Sequence, residues 1–166
     1  MLESYYVLRV EDPAVDYRAR LDYKRDDPRR SWMTGVRFEK QPTEPIVLEL
    51  RGTDEEGWVL GDLWLTPITV MSKRLHEALL KAGVDNLDIY AVELHDPVSG
   101  DMYKDFVAFN LVGKSTVTDA NKGHGALMFR STEAVNVILV HATVKDAIEA
   151  AGIDTLTFYE PKDFAA

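Results

Sequence analysis

Two stretches of this sequence, and only two, carry every mark of an amphipathic helix, and that scarcity limits what the rest of the chain can build. In residues 72–82, Ser72 stands where a side-chain oxygen caps a helix start, and Leu75, Ala78, Leu79 and Ala82 fall at i, i+3, i+4 and i+7 on one face. Gly83 follows as a stop, because glycine accepts the left-handed backbone of a helix C-terminus. Residues 143–151 repeat the pattern with Val144, Ala147, Ile148 and Ala151, ended by Gly152. Thr143 and Asp146 stand at capping-box spacing at its start. Other apolar residues come in short runs rich in β-branched and aromatic side chains: 5–10, 36–38, 46–51, 58–65, 87–94, 106–112, 137–140 and 155–159. Turn signals bound several of them: Asp12-Pro13, residues 41–45, 52–57 and 96–101, and Pro161. Gly61-Asp62 breaks the fourth run. Many strands with few helices predict an α+β fold, mostly antiparallel sheet with two main helices over about 72–82 and 143–151. A length of 166 residues suits a single domain over 1–166 with a sizeable core.

One internal echo links the helices. Ala82-Gly83-Val84-Asp85-Asn86-Leu87 resembles Ala151-Gly152-Ile153-Asp154-Thr155-Leu156, each following a helix and preceding a strand. Shared turn chemistry accounts for it, with a glycine at positive φ and then an apolar residue folding back on the helix. An old duplication is the other account.

Charge narrows the function classes. There are 28 acids against 19 bases, a formal net charge of −9. A module dedicated to DNA or RNA leans the other way, because it must neutralise phosphates, so no nucleic-acid partner is expected. With no cysteine, the chain forms no disulfide, zinc–cysteine site or cysteine nucleophile. Met1-Leu2-Glu3-Ser4 lacks a basic, then apolar, leader, and the apolar runs fall far short of a membrane span, so the expected compartment is the cytoplasm, with no membrane partner.

Catalytic motifs are sparse. His76, His95, His124 and His141 do not pair at helical spacing, and no His-Glu-x-x-His occurs. There is no nucleophile elbow, and Ser115 and Ser131 lie without a local partner signal, although triads assemble from distant positions. Gly123-His124-Gly125 is a bare Gly-x-Gly with no strand–helix context. Asp54-Glu55-Glu56 lies between glycines without the spaced ligands of a calcium loop. No catalytic, cofactor-binding or metal site is expected.

Surface character remains. Residues 44–62 carry six acids and one base, with Trp58 and Trp64 within or just beyond; residues 85–105 again carry six acids and one base. Acids beside aromatics suit docking onto a basic protein, where charge speeds encounter and an aromatic anchors the contact. The candidate partner-binding residues are Asp54, Glu55, Glu56 and Trp58. The plainer account is a solvated face with the tryptophans in the core. The arginine-rich segment 18–30 is an alternative surface for an acidic partner.

The second half contains an ordered set of blocks: Leu63-Trp64-Leu65, Met71-Ser72-Lys73-Arg74-Leu75, residues 83–92 from Gly83-Val84-Asp85-Asn86-Leu87, Tyr103-Lys104-Asp105-Phe106, Asn110-Leu111-Val112-Gly113, Phe129-Arg130, Ile138-Leu139-Val140-His141 and residues 151–158. In this order, over about residues 60–160, the chain resembles the family-eleven immunity proteins of bacterial polymorphic toxin systems, formerly a domain of unknown function. It departs from them after Thr118-Asp119, where Asn121-Lys122-Gly123 stands in place of a serine that often follows the family's aspartate. The resemblance implies a protein that binds and neutralises a cognate toxin by protein–protein contact, without catalysis or cofactor, the toxin being encoded next door. An adaptor or chaperone of a secreted effector, and an unrecognised hydrolase, are the alternative functions. Homo-oligomers are compatible with all three.

Overall fold

The computed structural model describes residues 5–10, 18–23, 30–120 and 126–161. Its fold is α+β, as the element pattern predicts. The Asp12-Pro13 turn, residues 24–29 of the arginine-rich segment and the glycine-rich 121–125 loop lie outside the described residues.

In chain order the elements are β1 (Tyr5–Val10), β2 (Arg20–Asp22), β3 (Ile46–Arg51), β4 (Leu63–Trp64), β5 (Val70–Ser72), α1 (Lys73–Ala82), β6 (Leu87–His95), β7 (Met102–Tyr103), β8 (Phe106–Leu111), β9 (Lys114–Ser115), the single turn α2 (Val117–Asp119), β10 (Met128–Ser131), β11 (Ile138–His141), α3 (Ala142–Ala150) and β12 (Leu156–Tyr159). They form two sheets. One runs β12-β1-β11-β10-β9; the other runs β2-β3-β6-β8-β5-β4, with β7 also paired to β6. Among the described residues only β3 with β6 and β9 with β10 pair in parallel.

Period-two alternation sorts the side chains into layers. Val107, Phe109 and Leu111 of β8 share the central core with Met71, with Leu75 and Leu79 of α1, with Val144 and Ile148 of α3, and with Leu8 and Val140 of the other sheet. Phe106 and Ala108, on the opposite face of β8, pack with Ile46, Leu48, Leu50, Trp64 and Trp32 in a second cluster. Burial on both faces explains why β8 reads as an apolar run without alternation, interrupted only by the buried Asn110.

Each helix starts without a loop. Ser72 ends β5 in extended backbone, and its Oγ accepts from the Leu75 amide, 3.2 Å. His141 plays the same part for α3, its Nδ1 accepting from the Thr143 amide, 3.1 Å. This corrects two expectations: the second helix begins one residue earlier than 143, and its cap is His141 instead of Thr143. The physical reason is that β11 runs directly into α3, so the junction residue itself faces the first free amides.

The echo reaches beyond the two turns. Aligned without a gap, Ser72 corresponds to His141, Leu75 to Val144, Gly83 to Gly152 and Tyr90 to Tyr159. Registers correspond too. Met71 pairs with Leu63 and Val107, as its counterpart Val140 pairs with Met128 and Tyr6. Ala108 lies between Val70 and Tyr90, as Val7 lies between Leu139 and Tyr159. Each unit is thus a hairpin, a helix and a returning parallel strand, with one antiparallel strand between the parallel pair. In the first unit β8 fills that slot after β6; in the second the N-terminal β1 fills it. Matching register along whole strands exceeds what shared turn chemistry explains and favours a duplication.

Residues 36–38 do not form the expected strand. Segment 30–40 is instead an irregular strap over the second cluster. Gly113 N donates to Gly35 O (2.9 Å) and Asn110 Nδ2 to Val36 O (2.9 Å), leaving none of the alternating backbone pairs a strand needs. The run 58–65 keeps only β4 and a single parallel bridge from Val59 to Arg18. The Arg18 side chain crosses at Gly61, where a Cβ would fall 2.4 Å from its Cδ.

Candidate partner-binding surface

Because β3 and β6 are parallel, both leave the sheet at the same end, and the two acidic stretches of the sequence meet there. The turn after β3 holds Asp54, Glu55 and Glu56, all exposed. The turn after β6 spans residues 96–101. A buried bond joins them: Thr53 Oγ1 donates to Asp96 Oδ1, 2.6 Å. Asp96 also accepts from Val98 N (2.9 Å) and Ser99 Oγ (2.9 Å). These donors, Thr53 foremost, hold its carboxyl below the usual carboxylate range despite the opposing effect of burial. Gly52 sits at φ 88°, and a Cβ there would meet the Arg20 guanidinium at 3.2 Å. Arg20 itself reaches Glu55, 3.6 Å away.

Trp58 is half-buried and packs against the second core cluster, so it roots the turn more than it projects from it. Trp64 is buried, its Nε1 donating to Ala19 O at 2.7 Å. The projecting apolar groups are ones the sequence reading did not single out. Val98 is 63% exposed at the tip of the second turn, Met102 is 46% exposed where β7 begins, and Val59 is 52% exposed just past Trp58. The signal for Val98 was present: an aliphatic residue inside Asp96-Pro97-Val98-Ser99-Gly100, where a turn supplies no core for it. Asp101 and Asp105 are exposed beside them, and with Asp54 and Glu56 they have no ion-pair partner among the described residues. Not all the acids converge here. Asp85 and Asp88 lie at the opposite end of β6, and Asp88 is occupied by Arg37 (Nε, 3.0 Å).

A groove of about 590 Å³ continues from Val59 and Tyr103 past Asp105 to the first turn of α1. Asp62 anchors its floor. The carboxylate is buried and accepts from Arg74 Nε (2.8 Å) and Nη2 (2.7 Å), Ser72 Oγ (2.5 Å) and Thr155 Oγ1 (2.7 Å). Burial pushes its pKa up, but these donors outweigh it and hold the group below the normal range. It is a structural tie between β4, the start of α1 and the start of β12.

The histidines lie apart. His76 is on α1, where burial lowers its pKa; His95 Nε2 is 3.3 Å from Glu93 Oε1 on β6; His141 caps α3; His124 lies outside the described residues. Among the described residues no group of three or more His, Asp or Glu is gathered for a metal ion, and no helix is long and apolar enough to cross a membrane. Of the described arginines in segment 18–30, Arg18 donates to Leu63 O (2.8 Å) and Arg30 to Lys40 O (3.0 Å), so both serve internal contacts.

No protein-family model matches the chain, and no curated protein matches it.

Proposed function

We propose that this chain is an immunity protein, which binds a cognate bacterial toxin in the cytoplasm and neutralises it by protein–protein contact. Inhibition of this kind needs a rigid complementary surface and no chemistry of its own. The observation that carries the reading is the pair of turns at the shared end of β3 and β6. They are locked together through Thr53 and Asp96, and they present Asp54, Glu55, Glu56 and Asp101 around Val98 and Met102. Apolar anchors inside a charged rim are the anatomy of a protein interface. Two short turns fall below a standard interface of about 1,600 Å² in total. The adjoining groove and Val59 extend the available area along the same side. The ordered sequence blocks support the same reading. Most map to β4, the start of α1, β6, β8, β10, β11 and the two helix-to-strand turns, which frame the core, while Tyr103-Lys104-Asp105-Phe106 reaches the edge of the platform and its groove.

The test is co-expression with the product of the adjacent gene. The expected outcome is that the neighbour alone arrests growth, that both proteins purify as one complex, and that growth is restored. A harmless neighbour that forms no complex overturns the proposal and favours the adaptor function.

A further inference from the structure

We propose that the concave side of the 30–40 strap is a binding site for a small phosphate-bearing ligand, separate from the acidic platform and independent of the immunity reading.

The strap has no regular secondary structure, yet buried polar groups hold it in place. Arg130, 1% exposed, donates through Nη2 to Trp32 O, 2.8 Å. Asn110, fully buried, donates to Val36 O, 2.9 Å. Gln41 Nε2 donates to Phe38 O (3.0 Å), and Tyr90 Oη donates to Gln41 Oε1 (2.6 Å). Trp32 and Phe38 pack edge to face, centroids 4.8 Å apart. Burying a guanidinium without a carboxylate is unfavourable, and burial pushes Arg130 down to about 10. Arg130 Nη1 donates to Val135 O, 2.8 Å, so the buried cation ties the strap to the segment between β10 and β11 and fixes where the strap lies.

The fixed shape borders a half-open cavity of about 480 Å³, within the range of small-molecule sites. Among the described residues three cations line it, Arg30, Arg37 and Lys40, with one acid, Glu39, in a chain whose net charge is −9. Arg30 is clamped: its guanidinium lies 5.5 Å over the Phe38 ring, and Nε and Nη2 donate to Lys40 O, closing the ends of the strap. Arg37 turns Nε and Nη2 toward Asp88 (3.0 and 3.4 Å), which leaves Nη1 for another acceptor. Lys40 is exposed and has no ion-pair partner among the described residues. Ser31 and Thr34 add hydroxyls, and Val36, 59% exposed, adds an apolar wall. This many donors exceeds what one carboxylate accepts and suits the several oxygens of a phosphate. The wall suits an attached organic group.

The experiment titrates pyrophosphate into the full chain at constant ionic strength, with citrate and sodium chloride in parallel, and follows backbone amide shifts and heat. The expected result is saturable pyrophosphate binding with shifts confined to residues 31–41 and their neighbours. Lys40→Gln and Arg37→Gln are each expected to weaken it by about tenfold or more, the scale of a lost charge-assisted bond. Asp88→Asn is the discriminating variant: it releases the Arg37 fork and is expected to tighten binding, which a purely structural role for the pair does not do. Citrate binding as tightly as pyrophosphate, shifts that chloride reproduces, shifts mapping elsewhere, or unchanged affinity in Lys40→Gln each overturn the proposal.

Discussion

Asp62 shows how much one carboxylate can organise. It ties β4, the cap of α1, Arg74 and Thr155 at the start of β12 into one knot beneath the groove. Its carboxyl is held below the usual carboxylate range. The native state therefore keeps it ionised where the unfolded chain already takes up a proton. The stability it contributes is fully present above about pH 3.8 and is lost as pH falls through the lower native value. Denaturant unfolding measured from pH 6 down to pH 2.5 is expected to show Asp62→Asn losing stability less steeply below about pH 4 than the parent. At neutral pH the variant is expected to be less stable by about 1–2 kcal/mol, a modest figure because Arg74 remains 54% exposed and screened. Parallel pH curves would show that the carboxylate contributes nothing through its charge. None of this was legible in the sequence, where Gly61-Asp62 reads only as a break in a strand. Arg130 is a similar case: it sits among apolar residues of a short strand, and only the fold shows that it reaches across to Trp32.

At the scale of elements, the two helix-to-strand turns give a controlled comparison. Gly83 (φ 99°) and Gly152 (φ 77°) both occupy left-handed backbone, and each is followed by a buried aliphatic whose amide returns to the helix. Both Gly→Ala variants are expected to lose about 1 kcal/mol from the backbone alone. Gly83→Ala is expected to lose more, because its Cβ meets Leu127 Cδ1 at 3.3 Å, whereas at Gly152 nothing lies within 4 Å. Thermal unfolding of the two variants side by side checks the order; equal losses would mean that Leu127 simply moves aside. These turns were legible from sequence because each needs a glycine at one place. So were the helices and the long strands β1, β3, β6 and β8, which have enough residues to show a period. Strands β4, β7 and β9, of two residues each, have no period to show and exist only because a neighbour pairs with them. The strap failed as a strand for the converse reason: three residues, Val36-Arg37-Phe38, are too few to set a register, and the segment found its hydrogen bonds in Gly113 and Asn110 instead of an adjacent strand.

Across the whole molecule, charge is divided by the fold in a way the linear sequence only half shows. The acids of residues 54–56 and of residues 96–105 come together because β3 and β6 are parallel, a pairing that composition does not encode. The expected consequence concerns rates. If the platform docks on a basic partner, the acids act mainly on encounter and the apolar groups on dissociation. Replacing Asp54, Glu56 and Asp101 with lysine is expected to slow association with the cognate partner about tenfold or more at low salt, with the parent and variant rates converging as ionic strength rises and the Debye length shrinks to about 8 Å or less. Val98→Ser is expected to leave association nearly unchanged and to speed dissociation. Asp85→Lys, at the opposite end of β6, serves as the control and is expected to change neither rate. Stopped-flow association at several salt concentrations separates these cases. If the triple variant associates at the parent rate in low salt while the complex still forms, the partner sits on another face, and the strap becomes the next surface to alter.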